Sequence, residues 1–221
     1  MGFFLSEYKA YVIWRATVKL IASLTSPFAR KVRIVLAEKQ LAYELVIDIP
    51  WNSDTQVAQF NPLGKVPVLV VDEEQHTSLF DSRVIVEYLE RLIPSPVLIP
   101  KSAEAHIKIK RQEALADGIA DAAATIFIER KRPQALQSAE WIARQQQKID
   151  LGLQAMSDIL ADNLFFVGDE FSLADISTLC CLGYLELRFA ELTWHTQYPN
   201  LASFMTRMAQ RDSVKQTILA I

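Results

Sequence analysis

The chain has 221 residues, 51% of them hydrophobic and 22% charged, and carries a formal net charge of −3. Such a chain is a soluble globular protein long enough to bury a real core, as one large domain or two small ones. The balance of charge gives no support to a nucleic-acid-binding surface, and the absence of any run of 18 apolar residues gives none to a membrane-spanning helix.

Cys180 and Cys181 are adjacent, which is neither a disulfide framework nor a metal-ligand spacing. His76, His106 and His195 are far apart and form no HxxxH pattern, so no metal is expected. The low cysteine content fits a reducing, cytoplasmic setting. The N-terminal stretch "MGFFLSEYKAYVIWRAT" is interrupted by Glu7, Lys9 and Arg15 and does not read as a signal peptide. It is taken as an extension, residues 1–17, ahead of a domain that begins near Val18.

In chain order, Thr17–Ser23 has strand composition. Ser26 and Pro27 then open a basic, amphipathic helix whose apolar face is Phe28, Val32, Val35 and Leu36. Tyr43–Ile49 is a second strand, followed by an irregular or helical link. Val66–Val71 is a third strand, residues 72–75 a turn, and residues 76–80 a fourth strand. Val84, Ile85, Tyr88, Leu89 and Leu92 mark the face of the next helix. The order is βαβ, a link, then ββα, with a right-handed crossover in the first unit and an antiparallel hairpin in the second.

"IPSPVLIPK" (Ile93–Lys101) packs three prolines into a short stretch and stops the helix. Beyond it strand signals vanish. Ser102–Arg132, Ser138–Asp162, Ser172–Leu192 and Pro199–Arg211 are helical patterns. The expected architecture is an α/β module at 18–94, a linker at 95–101 and an all-helical module at 102–221.

Four short motifs carry more than fold information. In "GKVPVL", a cis Val66–Pro67 bond would turn the Val66 N–H and C=O outward, where an extended peptide can pair with them as an added strand; a plain strand-edge proline is the simpler reading. In "LFDSRVIVEYL", Asp81 and Ser82 stand at a helix start and read as a cap. The same helix end favours a carboxylate, and Asp81 favours an ammonium group, so an α-amino acid terminus fits the pair. In "EFSLADIS", Ser172 and Asp175 resemble a capping box, with Phe171 and Ile176 at the staple positions. In "SLTSPFARK", Thr25 and Ser26 place hydroxyls at the mouth of the first helix.

Taken together and in order, "SPFARKVRIVLAEK", "FNPLGKVPVLV", "LFDSRVIVEYLE" and "FVGDEFSLADI" resemble the cytosolic glutathione transferases over roughly residues 18–211. The resemblance implies an α/β plus all-α fold, with a thioredoxin-like N-terminal domain (βαβ-α-ββα) and an all-helical C-terminal domain. It also implies a homodimer, glutathione as a substrate and a small electrophile as its partner. It assigns the Val66 backbone, with Pro67 cis, to the cysteinyl part of glutathione, and Asp81 and Ser82 to the γ-glutamyl end. Lys65, and less strongly Asn52, would reach the glycyl carboxylate, while Trp51 packs. The second substrate would lie between the domains, with Asp117, Asp121, Phe127 and Arg130 as candidates from the long helix and Tyr184 and Arg188 from a later one. The same fold also serves binding or regulatory proteins such as stringent starvation protein A, which associates with RNA polymerase, and glutathione-dependent isomerases.

The resemblance gives the hydroxyl pair a task. A thiol with a pKa of about 8.5 must lose its proton near neutral pH, and a shift of about two units takes roughly 2.7 kcal/mol. One hydrogen bond to an anion supplies about 1.5–3 kcal/mol, and a helix N-terminus adds to it. Aligned on Pro27 and Arg30, Ser26 stands where some classes carry a catalytic cysteine and Thr25 where others carry a catalytic serine. Ser26 is placed ahead of Thr25 as the thiol's partner. With no cysteine in this segment, the thiolate chemistry belongs to glutathione, and Cys180 and Cys181 are read as core residues.

Overall fold

The computed structural model describes residues 18–72 and 77–219; the N-terminal extension and the turn through residues 73–76 lie outside the described residues. The chain divides into two compact units between Val97 and Leu98, inside the proline-rich segment.

The first unit is built on a four-stranded sheet in the order β2-β1-β3-β4. The strands are β1 (Val18–Ala22), β2 (Tyr43–Ile47), β3 (Val68–Asp72) and β4 (Thr77–Leu79). β1 and β2 are parallel, and the other two pairings are antiparallel. Helix α1 (Pro27–Glu38) makes the crossover between β1 and β2, a 3₁₀ turn occupies Val57–Gln59, and α2 (Ser82–Leu92) follows β4.

Strand alternation sends Ile21 and Leu20 to opposite faces of the sheet. Ile21 packs with Val57, Val68 and Val70, flanked by Val46, Phe60 and Val66. Helices α1 and α2 pack on each other, and α2 packs on β3. They bury Val32, Val35 and Leu36 from α1 and Ile85, Val86 and Leu89 from α2. The expected face of α2 is therefore turned: Val84 is 48% exposed, while Val86 is buried. Val84 lies about 100° around the helix from Ile85, so it leaves the face that Ile85 and Leu89 define.

The basic side of α1 is also not given to solvent, since Arg30, Lys31 and Arg33 are all buried. At the end of α1, the buried Lys39 ammonium donates to the Pro96 carbonyl at 2.7 Å and pairs with Glu90 at 2.5 Å. One buried charge thus ties α1, α2 and the proline segment together. Removing one partner of such a pair leaves the other charge buried, which costs about 3–5 kcal/mol.

The strands are shorter than the sequence patterns. β2 ends at Ile47, and β3 starts at Val68 because Val66–Pro67 belongs to the entering loop. The loop bond Val66–Pro67 is cis, as are Phe80–Asp81 and Ser95–Pro96.

The second unit is helical: α3 (Ala103–Glu129), α4 (Ala139–Leu160), α5 (Leu173–Arg188), α6 (Trp194–Gln197), α7 (Pro199–Met208) and α8 (Asp212–Lys215). α5 is its centre, with every residue from Leu173 to Leu185 buried. A helix apolar all round belongs in a core, and its few polar groups must then find partners. Asp175 does so at the helix start, accepting from the Ser172 N–H at 2.9 Å, the Ser172 O–H at 3.0 Å and the Phe166 N–H at 2.9 Å. Burial still pushes its carboxyl up from the usual value, against those three donors. Thr178 accepts from Gln112 of α3 at 2.9 Å and donates to Ala174. The expected helix Ser172–Leu192 stops at Arg188, and Trp194 opens a separate short helix.

α3 packs against both α4 and α5. Gly152 makes the α3–α4 approach possible, because a Cβ built there would lie 2.5 Å from Cγ1 and Cδ1 of Ile119. Gly152→Ala is expected to lower stability by about 1–3 kcal/mol through overpacking, measured by denaturant unfolding. A neutral or stabilising result would show that Ile119 has room to move aside.

Candidate functional site

The sheet brings four loops to one edge. β1 ends at Ala22, paired in register with Ile47 at the end of β2. On its other side Ile21 is opposite Val68, the first residue of the antiparallel β3. β4 runs antiparallel to β3, with Leu79 opposite Leu69, so its end points the same way as that of β1. The segments after β1, after β2, before β3 and after β4 therefore share one rim. They carry Thr25 and Ser26, Asn52, Lys65 and Val66, and Asp81 and Ser82 respectively. Ligands of open α/β sheets gather at the carboxyl ends of parallel strands for the same reason.

Ser26 is the N-cap of α1, with Pro27 in the first turn. Its Oγ accepts from the Ala29 N–H at 3.2 Å, and its carbonyl accepts from the Arg30 N–H at 3.0 Å. The cap uses a lone pair of the hydroxyl and not its proton. Among the described residues nothing accepts from the Ser26 O–H, which sits half-buried at the positive end of a helix. Thr25 differs. Its Oγ1 lies 3.1 Å from Ser23 Oγ, so one hydroxyl proton of that pair is used between them.

Asp81 is the exposed N-cap of α2, and one of its oxygens accepts from the Arg83 N–H at 3.0 Å. Ser82 opens the helix and is 2% exposed; its hydroxyl makes no hydrogen bond to a described residue. The capping reading of this pair is thus realised for Asp81, with the second carboxylate oxygen and the Ser82 hydroxyl left over.

Val66 is half-buried against the Ile21 cluster, and among the described residues no turn or loop hydrogen bond engages its backbone. Lys65 beside it is exposed. Two residues that sequence reasoning passed over hold these loops. Buried Asn61 donates from Nδ2 to the Lys65 carbonyl at 2.8 Å, and its Oδ1 accepts from the Leu63 N–H at 3.0 Å. Its own carbonyl accepts from the N–H of Gly64, a residue at φ +61. The Asn-Pro-x-Gly spacing was the available signal for this turn. Asp48 accepts from Thr55 Oγ1 at 2.6 Å and from the Gln56 N–H at 2.9 Å, closing the loop that contains exposed Asn52. Trp51 does not pack as expected: it sits at the tip of that polar turn, 64% exposed.

The candidates on α3 divide. Asp117 is buried, and Asp121 is exposed. Phe127 and Arg130 belong with Tyr184 and Arg188 at the other end of the helix, about 15 Å along the axis from Asp117. Arg188 lies 4.1 Å over the Phe127 ring, and Arg130 pairs with Glu191 at 2.9 Å. Burial, and then the Asp117 charge, push the Cys181 thiol well up, so that it stays an inert core thiol. Among the described residues no group of His, Cys, Asp or Glu is placed to hold a metal, and no helix is long and apolar enough to cross a membrane.

Residues 25–92 match the family model described as Glutathione S-transferase, N-terminal domain, and residues 139–207 match the one described as Glutathione S-transferase, C-terminal domain. The GST-like protein YibF of Escherichia coli (strain K12) is 39% identical over 90% of this chain and 98% of its own. The chain belongs to the glutathione transferase superfamily. A glutathione S-transferase from Methylobacillus flagellatus, solved with glutathione bound, is 45% identical and superposes with a TM-score of 0.88 over 92% of this chain and all of that one (100%). A stringent starvation protein A homolog of Haemophilus ducreyi is 28% identical over 92% of this chain and 91% of its own.

Asn61→Ala removes both anchors of the loop that presents Val66. It should raise amide hydrogen exchange at Gly64–Val66 by about tenfold or more, the loss of at least one buried hydrogen bond's worth of local stability. Exchange unchanged from wild type would show that the loop holds itself.

Proposed function

We propose that the protein is a glutathione transferase that binds glutathione on this rim and holds its thiol as the thiolate for attack on a small electrophile. The observation that carries the reading is the Ser26 hydroxyl: its oxygen is fixed by the Ala29 N–H, and among the described residues its proton has no acceptor at a helix N-terminus. That arrangement stabilises an anion without needing a base.

In this reading the γ-glutamyl end meets Asp81 and Ser82, whose leftover carboxylate oxygen and hydroxyl match an ammonium and a carboxylate. The cysteinyl backbone pairs with Val66 beside Pro67, and Lys65, with Asn52, faces the glycyl carboxylate. Ser26 donates to the sulfur, with Thr25 as the alternative donor. The thiol proton passes to solvent, the thiolate attacks the electrophilic carbon, and a C–S bond forms as the bond from that carbon to its leaving group breaks with its electron pair; the Ser26 hydrogen bond is released as the charge leaves the sulfur. Asp117, Asp121, Phe127 and Arg130 remain the candidates for the second substrate. A cytoplasmic homodimer, the family's usual form and location, belongs to the same proposal, as does the division into 18–94, 95–101 and 102–221.

The likeness to a stringent starvation protein A homolog supports a second reading, a binding protein without turnover. Thiolate absorbance of bound glutathione separates the two. Wild type should show the thiolate near neutral pH, and Ser26→Ala should lower kcat/KM by about 10–100-fold, the worth of one charged hydrogen bond. Thr25→Ala should keep the thiolate. An unshifted thiol on bound glutathione would favour the binding protein, and loss of the thiolate only in Thr25→Ala would transfer the role to Thr25.

A further inference from the structure

The three basic residues at the start of α1, Arg30, Lys31 and Arg33, are all buried, but they are not alike. Lys31 and Arg33 each have an interacting partner. Among the described residues no hydrogen bond, ion pair or ring contact engages the Arg30 guanidinium, and its Nε–H is enclosed without an acceptor. Arg30 is nevertheless only 7% exposed. Glu90, on the helix packed against α1, goes to Lys39.

A cation taken out of water without a counter-charge is costly, and an apolar side chain of similar volume would serve packing better. The position of Arg30 on α1 says where its charge is aimed. Ser26 caps the helix, and its carbonyl accepts the Arg30 N–H at 3.0 Å. The two residues are therefore one turn apart, about 6 Å along the axis, and share a face. Long side chains on a helix lean back toward its N-terminus, over the residues three and four positions earlier. For Arg30 those are Pro27 and Ser26. A guanidinium leaning that way adds a full charge to the partial positive charge of the helix start. It does so beside a Ser26 hydroxyl whose oxygen is fixed by the Ala29 N–H and whose proton has no acceptor among the described residues. Helix start, hydroxyl and buried cation thus all favour negative charge at one place.

We propose that the Arg30 guanidinium is the counter-charge for the sulfur anion of glutathione, with Ser26 supplying the hydrogen bond and Arg30 the charge. This deepens the glutathione transferase reading and rests on it, and it draws only on residues of α1. An opposite charge a few ångströms away in a partly buried place favours the ionised form of a group by about one pKa unit or more, equivalent to tenfold or more in affinity for the anion.

The test uses the full chain and two glutathione derivatives that differ in charge at the sulfur: glutathione sulfonate, a fixed anion, and S-methylglutathione, neutral there. Binding of each is measured calorimetrically at fixed ionic strength. Wild type should bind the sulfonate more tightly by about tenfold or more. Arg30→Gln should lose about tenfold of that preference, and Arg30→Lys, which keeps the charge, should retain most of it. The thiol of bound glutathione, followed by thiolate absorbance, should titrate about one unit higher on Arg30→Gln than on wild type. Asp81 and Lys65, the charged residues assigned to the ends of glutathione, are exposed and the same in every variant, so the difference reads Arg30. A wild type that binds both derivatives equally, or a sulfonate preference and thiol titration untouched by Arg30→Gln, overturns the proposal and leaves the transferase reading standing. Equal losses in Arg30→Gln and Arg30→Lys assign the effect to packing and overturn it as well. Failure of wild type to bind either derivative sinks the transferase reading, and this proposal with it.

Discussion

The central position of β1 is the constraint on which the rest depends. It pairs in parallel with β2 on one side and antiparallel with β3 on the other. A one-residue slip would carry Lys19 onto the face of buried Val18, Leu20 and Ala22, so the register is fixed by the core. With the register fixed, the ends of β1, β2 and β4 and the beginning of β3 fall on one rim. No single loop makes the site; the sheet collects it from four.

That rim is electrostatically prepared before any ligand arrives. Both α1 and α2 begin there, each presenting unsatisfied N–H groups and the positive end of its dipole. The cap residues then make the two helix starts different. Ser26 is neutral and keeps a proton to give, which suits a sulfur anion. Asp81 brings a charge, which suits an ammonium group next to the carboxylate that the helix itself attracts. Two similar pieces of backbone thus come to suit different groups, a sulfur anion at one and an α-amino acid terminus at the other. Within the helical unit, cations lie over aromatic rings.

Much of this was legible in the sequence because the signals were local. The β1–α1 junction announced itself through Ser26-Pro27, the α2 start through Asp81-Ser82, and the α5 start through Ser172-Asp175. Each is a pattern set by backbone hydrogen bonding within a few residues. What was not legible depends on contacts far apart in the chain. The Lys39–Glu90–Pro96 tie joins three segments and has no local pattern. Asp48 is an ordinary strand-end aspartate until the loop folds back onto it. Trp51 is expected to pack, but its turn carries it outward. Periodicity alone admits Val84 or Val86 beside Ile85 and Leu89, and only the tertiary partner selects Val86.

In the proposed complex, glutathione sits on the rim collected by β1, with its sulfur at the Ser26 hydroxyl and its γ-glutamyl end at α2. Following backbone amide resonances of the full chain during a glutathione titration tests this most directly. Saturable shifts are expected at Ser26–Ala29, Val66 and Ser82–Arg83, with Thr25 less affected than Ser26. No saturable shift at millimolar glutathione, or shifts confined to the helical unit, would contradict it.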